Sequence, residues 1–451
     1  MLNILTQIKG LFLEGQNKEI ARNGFISLLS RSISFVASYL FFLYLTHSFS
    51  ETAIGLFQLA QSILIILALV VSLGFQSSIV RFVSSMVQKK HFSECLMLIK
   101  KFLAIVVFLS TCVGLMVFFS ANFWSNQVFE KPDLSIALKI VALALPIYAL
   151  TQLLIELLRA FREFKYSELV KYVFQWIPAL LICVITGLFW SNDFLPFIAF
   201  CSASGLSLFL ILPKLKKHLL FLSSNAEGEG KLYPISYYLK RSYPMIFTSL
   251  SYIILIRIDS IMLGSASNVS IQEIGVYGIA LKVAVIANFA NVDLQRIAAP
   301  KISALFWDEK KMELKEYINR VKKINFFVTG GITLFLLIFA RSILGIFGES
   351  YMEGLLVARI VTLAYFVNAF FGLSGVFMNM TGNEKKLMHI MLVTILINIV
   401  LNLILIRMYG TMGPAISTLF CFAFWNIITT IYISKKYKIK MYYLPFKRDH
   451  R

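Results

Sequence analysis

Acidic side chains are scarce in this chain: 23 Asp and Glu stand against 43 Lys and Arg, and only 15% of its 451 residues are charged at all. Soluble domains are roughly a quarter charged, so composition argues against a cytosolic enzyme. Cysteine is sparse too. Cys95, Cys112, Cys183, Cys201 and Cys421 are scattered, odd in number and form no CxxC pair. That leaves no disulfide framework or thiolate metal site, and the five read as small buried hydrophobes. No GxxxxGK[ST] occurs; Gly228, Gly230 and Lys231 form only a linker, so an intrinsic ATPase is excluded. The histidines (His47, His91, His218, His389, His450) lack ligand spacing. Neither catalytic residue, metal nor cofactor is expected. A formal charge of +20 raises nucleic-acid binding, but the basic, aromatic surface that binding needs is missing.

What is present is hydrophobic: 58% of the residues. Apolar runs of about twenty residues, each long enough to cross a hydrocarbon core of roughly 30 Å as a helix, recur throughout. Twelve spans are predicted: 23–46, 53–80, 102–121, 134–158, 169–190 and 194–212, then 244–264, 274–299, 324–340, 355–380, 387–408 and 414–434. An even count places both termini on one side. The loops and tails on that side hold 34 Lys and Arg, whereas the alternate loops hold only Lys131, Arg341 and Arg407. By the positive-inside bias both termini are cytoplasmic. The outward loops, about a dozen residues at most, leave no room for an external catalytic domain. The apolar positions Leu5, Ile8 and Phe12 suggest a short helix lying on the inner surface.

The polar stretch NAEGEG at residues 225–230 divides the spans six and six. Shifting the first half by 220 residues puts Ile54, Gly55, Phe57 and Ala60 on Ile274, Gly275, Tyr277 and Ala280. The expected organisation is an interfacial segment (1–22), a six-helix lobe (23–217), a cytoplasmic linker (218–243), a second six-helix lobe (244–434) and a basic tail (435–451). Two parallel repeats around a central lumen are transporter architecture.

A charge near mid-bilayer costs about 3 kcal/mol on insertion scales, so such residues call for a reason. Lys139 and Arg359 lie near outer helix ends and snorkel. Arg31 lies deep in the first span, with Ser27, Ser34 and Ser38 on its face at helical spacing. Serine stripes ordinarily mean close helix packing; the arginine among them favours a wet lumen. Lys282, Asp293 and Arg296 share one face of span eight through Phe289. Asp293 and Arg296, three residues apart, either neutralise each other or line the lumen. Asp259 on span seven, sharing a face with Ser249 and Tyr252, falls at a depth similar to Lys282. An ion pair between them would be a strut or an ion-sensitive latch. Arg257 is either an outward snorkeller or a lumen residue of an unwound span. Gln58, Gln61 and Gln76 form an amide stripe suited to sugar hydroxyls or to neighbouring helices, and Arg81 marks its inner mouth. A basic, hydrogen-bonding cavity suits anions, since a guanidinium pairs with phosphate oxygens.

These residues carry a family likeness: RNGFISLLSRSISF at 22–35, IGLFQLAQ and SLGFQSSIVRF within 54–82, and P-x14-D-x-I-M-L-G followed by IGVYGIALK and AAPKIS within 244–303. MTGNEKK at 380–386 and LNLILI-x-M-Y-G-x-M-G-P-A-I-S at 401–417 continue it. The chain resembles the polysaccharide-transport branch of the multidrug/oligosaccharidyl-lipid/polysaccharide (MOP) exporter superfamily, most of all its O-antigen (Wzx-type) flippases. The resemblance implies an all-α protein of the bacterial inner membrane with a cation-lined lumen. Its substrate would be an undecaprenyl-pyrophosphate-linked oligosaccharide, moved at the expense of an ion gradient or membrane potential. Family lumen cations are matched by Arg31 and, less closely, by Lys282 and Arg257. Polysaccharide polymerase and chain-length machinery would be partners alongside membrane lipids. Lipid II flippases usually add two C-terminal spans, so an O-antigen or capsule unit is expected over a peptidoglycan precursor. The rival expectations are a cation-coupled multidrug antiporter, a membrane polymerase or ligase, and a non-transporting scaffold.

Overall fold

A computed structural model describes residues 17–190, 192–226 and 234–443. The expected surface helix near Leu5 to Phe12, residues 227–233 of the linker and residues 444–451 of the basic tail lie outside these residues. Among the described residues the structure is helical. In the first half, α1 (Asn17–Ser48), α2 (Glu51–Val71), α3 (Phe75–Gln88), α4 (Phe92–Phe123), α5 (Leu134–Ala160), α6 (Phe164–Glu168), α7 (Phe174–Gly187) and α8 (Leu195–Ser224) make six spans. The second half repeats them with α9 (Ile235–Gly264), α10 (Ile271–Trp307), α11 (Lys311–Phe347), α12 (Leu355–Phe370), α13 (Ser374–Met380), α14 (Glu384–Tyr409) and α15 (Met412–Tyr437). Without water in the hydrocarbon, helices satisfy their backbone groups internally. Large apolar side chains face outward, as Phe119 (80% exposed) and Phe189 (87%) do, where acyl chains replace water.

Eleven described helices are long and apolar enough to span. The seventh expected span is a continuous 30-residue helix, α9, which carries Arg257 and Asp259 among its apolar residues. Two expected spans are broken. The second divides at Leu73 and Gly74, both left-handed (φ 47° and 69°), which an unbroken apolar run conceals. The tenth divides between α12 and α13, where Nδ2 of Asn325 donates to the Ala369 carbonyl at 2.7 Å and supplies part of what the break removes.

The 220-residue repeat is visible atom by atom where α2 meets α10. Ser50 caps α2 by accepting from Ala53 N (3.1 Å), and Ser270 caps α10 by accepting from Glu273 N (3.2 Å). Reciprocal glycines let the two helices touch backbone to backbone. A Cβ on Gly55 would lie 1.9 Å from the Ile271 carbonyl oxygen, and one on Gly275 would lie 2.8 Å from that of Glu51. Thr52 accepts from Gln272 at 2.9 Å between the same two positions of the repeat. The lobes are therefore related by a pseudo-two-fold axis and closed against each other at the end remote from the termini.

Candidate functional site

α1 and α10 run antiparallel along one side of the inter-lobe seam. Side chains at three- and four-residue spacing meet in layers. Nearest the termini, Arg31 of α1 donates to Asp293 of α10; their side chains are 12% and 13% exposed. Tyr172, in the π-helical turn before α7, accepts from Arg31 (3.3 Å) and from Arg296 (3.2 Å), and its ring lies 5.2 Å from the Arg31 guanidinium. One layer deeper, the Phe35 and Phe289 rings pack 5.4 Å apart. Deeper still, Tyr39 donates to the Lys282 carbonyl, while the Lys282 ammonium rests 4.4 Å from the Phe42 ring and 4.8 Å from the Trp176 ring. Eleven residues of α10 separate Lys282 from Asp293, about 16 Å at 1.5 Å per residue.

Across the seam, Arg257 of α9 donates to Gln61 Oε1 at 3.2 Å. The helix is not unwound there, and the guanidinium reaches the opposite lobe instead of snorkelling outward. Gln58 packs against Gly278, its own repeat position, where a Cβ would sit 2.9 Å from Gln58 Cγ. Gln76 donates to Ser72 Oγ at 3.4 Å, and the exposed Arg81 has its guanidinium 5.9 Å from the Phe82 ring. Both lie on α3, beyond the break. Ser34 and Ser38 are buried, each 7% exposed; the side chain of Ser27 lies outside the described residues. The far end of the seam is fastened by Lys131, which donates to the Gly264 (2.7 Å) and Ala266 (3.1 Å) carbonyls of the other lobe. Burial pushes its ammonium below the usual lysine range, opposed by Glu130 and Glu273.

The expected Asp259–Lys282 pair does not form. Asp259 turns into the C-terminal lobe, where Asn402 (2.8 Å), Thr418 (2.6 Å) and Tyr277 (3.3 Å) donate to it. Asp293 likewise pairs with Arg31 rather than with Arg296 on its own helix. Tyr172 and Trp176 carry no charge and escaped the sequence reading. So did the buried asparagines around Asp259, although an amide every fourth residue in an apolar helix (Asn398, Asn402) was a usable signal. Among the described residues no cluster of His, Cys, Asp and Glu has the makings of a metal site.

The sequence matches the polysaccharide biosynthesis protein family over residues 20–306. No curated protein matches it. Among solved structures, the chain is similar to the lipid II flippase MurJ in an inward closed conformation, with TM-score 0.67, 15% identity, and coverage of 91% of this chain and 87% of that one. It is also similar to a MOP superfamily transporter from Pyrococcus furiosus, noted for the reversed polarity of its binding pocket (TM-score 0.62, 13% identity, 95% and 97% coverage). A third likeness is to an inward-facing multidrug resistance MATE transporter of that superfamily (TM-score 0.63, 12% identity, 92% and 98% coverage). At such identities the likeness is one of fold. All three are transporters or flippases.

Proposed function

Because the chain belongs to the polysaccharide biosynthesis protein family, in the polysaccharide-transport branch of the MOP superfamily, we propose that it flips an anionic lipid-linked oligosaccharide across the bacterial inner membrane by alternating access. The substrate is an undecaprenyl-pyrophosphate-linked O-antigen or capsule unit. One observation carries this reading: Arg31, Lys282, Arg257 and Arg296 each make a contact across the lobe boundary. When the lobes part, each loses that contact and Arg31 loses its carboxylate, and a largely buried cation stripped of its counter-charge is costly. A pyrophosphate entering the seam replaces Asp293, which meets Arg31 through one oxygen, with an acceptor suited to bidentate pairing. Arg31 and Lys282 hold that group, aided by Arg257 and Arg296. Gln58 and Gln61 face sugar, while Gln76 and Arg81 stand at the entry. The bias of positive charge supports placing the termini, and hence the Arg31 layer, on the cytoplasmic side. The lipid tail stays in the bilayer while the headgroup passes along the α1–α10 seam.

Coupling falls to Asp259, with Asp293 as the gate. Asp259 is 3% exposed and held only by neutral donors, so a proton or monovalent cation binding there changes the charge of the lobe's interior. The same acid favours the alternative, a cation-coupled multidrug antiporter. The four cations of the seam weigh against a cationic cargo. A deletion strain separates the two readings. A flippase defect traps lipid-linked oligosaccharide on the inner face, and Arg31→Ala fails to restore surface polysaccharide at unchanged protein level. Normal surface polysaccharide together with accumulation of a lipophilic cation establishes the antiporter instead.

A further inference from the structure

The repeat superposes two corners at the termini end of the molecule, and their charges differ. In the N-terminal lobe the chain turns at Arg162, left-handed with φ 63°. The next residue, Glu163, sits 2.9 Å from Lys214 Nζ and 3.2 Å from His218 Nε2. A cavity of about 330 Å³ beside it is lined by Phe161, Arg162 and His218 among others. One 220-residue repeat later, Gly382 (φ 73°) takes the place of Arg162, and Asn383 that of Glu163.

The acid is gone from the second corner, yet the cations remain. Asn383 is 6% exposed and fully engaged: it donates to Tyr437 Oη (2.7 Å) and Thr381 Oγ1 (2.8 Å) and accepts from Tyr432 Oη (2.9 Å) and Lys436 Nζ (3.0 Å). The Tyr432 ring lies 4.4 Å from the Lys386 ammonium and 5.6 Å from that of Lys436. With Lys385 and Lys435 these line a cavity of about 490 Å³. Among the described residues no carboxylate forms an ion pair with any of the four lysines. Glu384 occupies the first turn of α14, where the helix N-terminus suits it. Four lysines thus line one open cavity, and the Asn383 network fixes the wall that carries them.

We propose that this cavity binds the phosphate of an anionic phospholipid headgroup. Its surroundings favour a lipid over a soluble anion. On α15, Ile427 (43% exposed) and Ile431 (49%) stand two turns and one turn before Lys435 on the same face, an open apolar track for acyl chains leading to the charged cavity. Trp307, 65% exposed, donates its indole N–H to the Met380 carbonyl at 3.2 Å beside Gly382, in the manner of an interfacial aromatic. Basic pockets between helices on the cytoplasmic side are a recurrent way of holding such headgroups. The inference goes beyond the transport reading: the cavity lies outside the seam and takes lipid whether or not the seam carries a saccharide.

The test uses the full chain in nanodiscs with a photoactivatable phosphatidylglycerol, its adducts mapped by mass spectrometry. Labelling of residues 382–386 and 432–436 is expected, with phosphatidylcholine labelling much less. Lys386→Gln with Lys435→Gln lowers labelling roughly tenfold or more, from the loss of two surface-proximal charges. Asn383→Glu, which installs the acid of the other corner, lowers it as well, with thermal melting reporting the fold of both variants. Equal labelling of the double variant, or equal labelling by phosphatidylcholine, overturns the proposal. Displacement of the lipid by millimolar inorganic phosphate overturns it in favour of a soluble anion.

Discussion

In the N-terminal lobe, carboxylates and cations are matched on the spot. Glu156 sits 2.7 Å from both Arg159 and Lys171, Arg159 reaches Glu168 at 2.6 Å, and Glu163 holds Lys214. Within the C-terminal lobe the one ion pair among the described residues is Arg320–Glu316, at 3.9 Å on an exposed helix face. That lobe relies on amides: Asn288, Asn291, Asn325, Asn368, Asn383, Asn398, Asn402 and Asn426 are all buried. Amides satisfy neighbouring helices without net charge. The contrast teaches where charge is reserved. A lobe whose helices are joined mainly by amides keeps Lys282, Arg257 and Arg296 for the seam, four lysines for the corner cavity, and Asp259 as a lone interior acid.

What the lobes share should be the hardest thing to break. Gly55→Leu and Gly275→Leu force the α2 and α10 backbones apart. Overpacking of this kind costs about 1–3 kcal/mol and often more, so a large fall in thermal stability and loss of transport are expected. Gly331→Ala, where a new Cβ meets nothing within 4 Å, should change neither. A Gly55→Leu variant with wild-type melting and transport would break the pseudo-symmetric account of the interface.

The next effect sharpens the difference between the lobes. Asp259→Asn retains hydrogen-bonding capacity beside Asn402 and Thr418 but removes the charge. Transport measured against proton and sodium gradients should fall roughly tenfold and lose its ion dependence, in keeping with couplings of about 1–3 kcal/mol. An unchanged dependence removes Asp259 from coupling.

The smallest effect lies at the N-terminal corner. Burial raises the Glu163 carboxyl, but hydrogen bonds and charge from Lys214 and His218 outweigh it and leave it below the usual carboxylate range. A carboxyl depressed in the folded state contributes stability that is present above its unfolded pKa and is lost as pH falls through the folded one. Glu163→Gln should therefore cost less than about 1 kcal/mol at neutral pH, as partly exposed pairs do. Melting curves of variant and wild type should converge in acid; a gap that persists there would mean that the pair is not electrostatic.

The helices, their pairing into lobes and the 220-residue shift were legible because each rests on local information: apolar run length, the polar break at 225–230, and glycines at Gly55 and Gly275. The charged seam was legible only as a set of residues. Arg31 and Asp293 lie 262 residues apart, while helical spacing sees partners three or four residues away, so Asp293 was matched with Arg296. Depth along two adjacent spans suggested Asp259 with Lys282, but depth says nothing of which way a side chain turns, and Asp259 turns toward α14 and α15. The break at Leu73 and Gly74 was hidden because apolar residues continue through it.

The account depends on phosphate replacing Asp293 on Arg31. Its most direct test is the affinity of the purified protein for undecaprenyl pyrophosphate in wild type, Arg31→Ala and Asp293→Asn. Arg31→Ala should weaken binding by more than about tenfold, as loss of a charge-assisted bidentate partner does. Asp293→Asn should tighten it, because the competing carboxylate is gone. If both substitutions shift the affinity in the same direction, or neither shifts it, the seam is not where the substrate's phosphates are held.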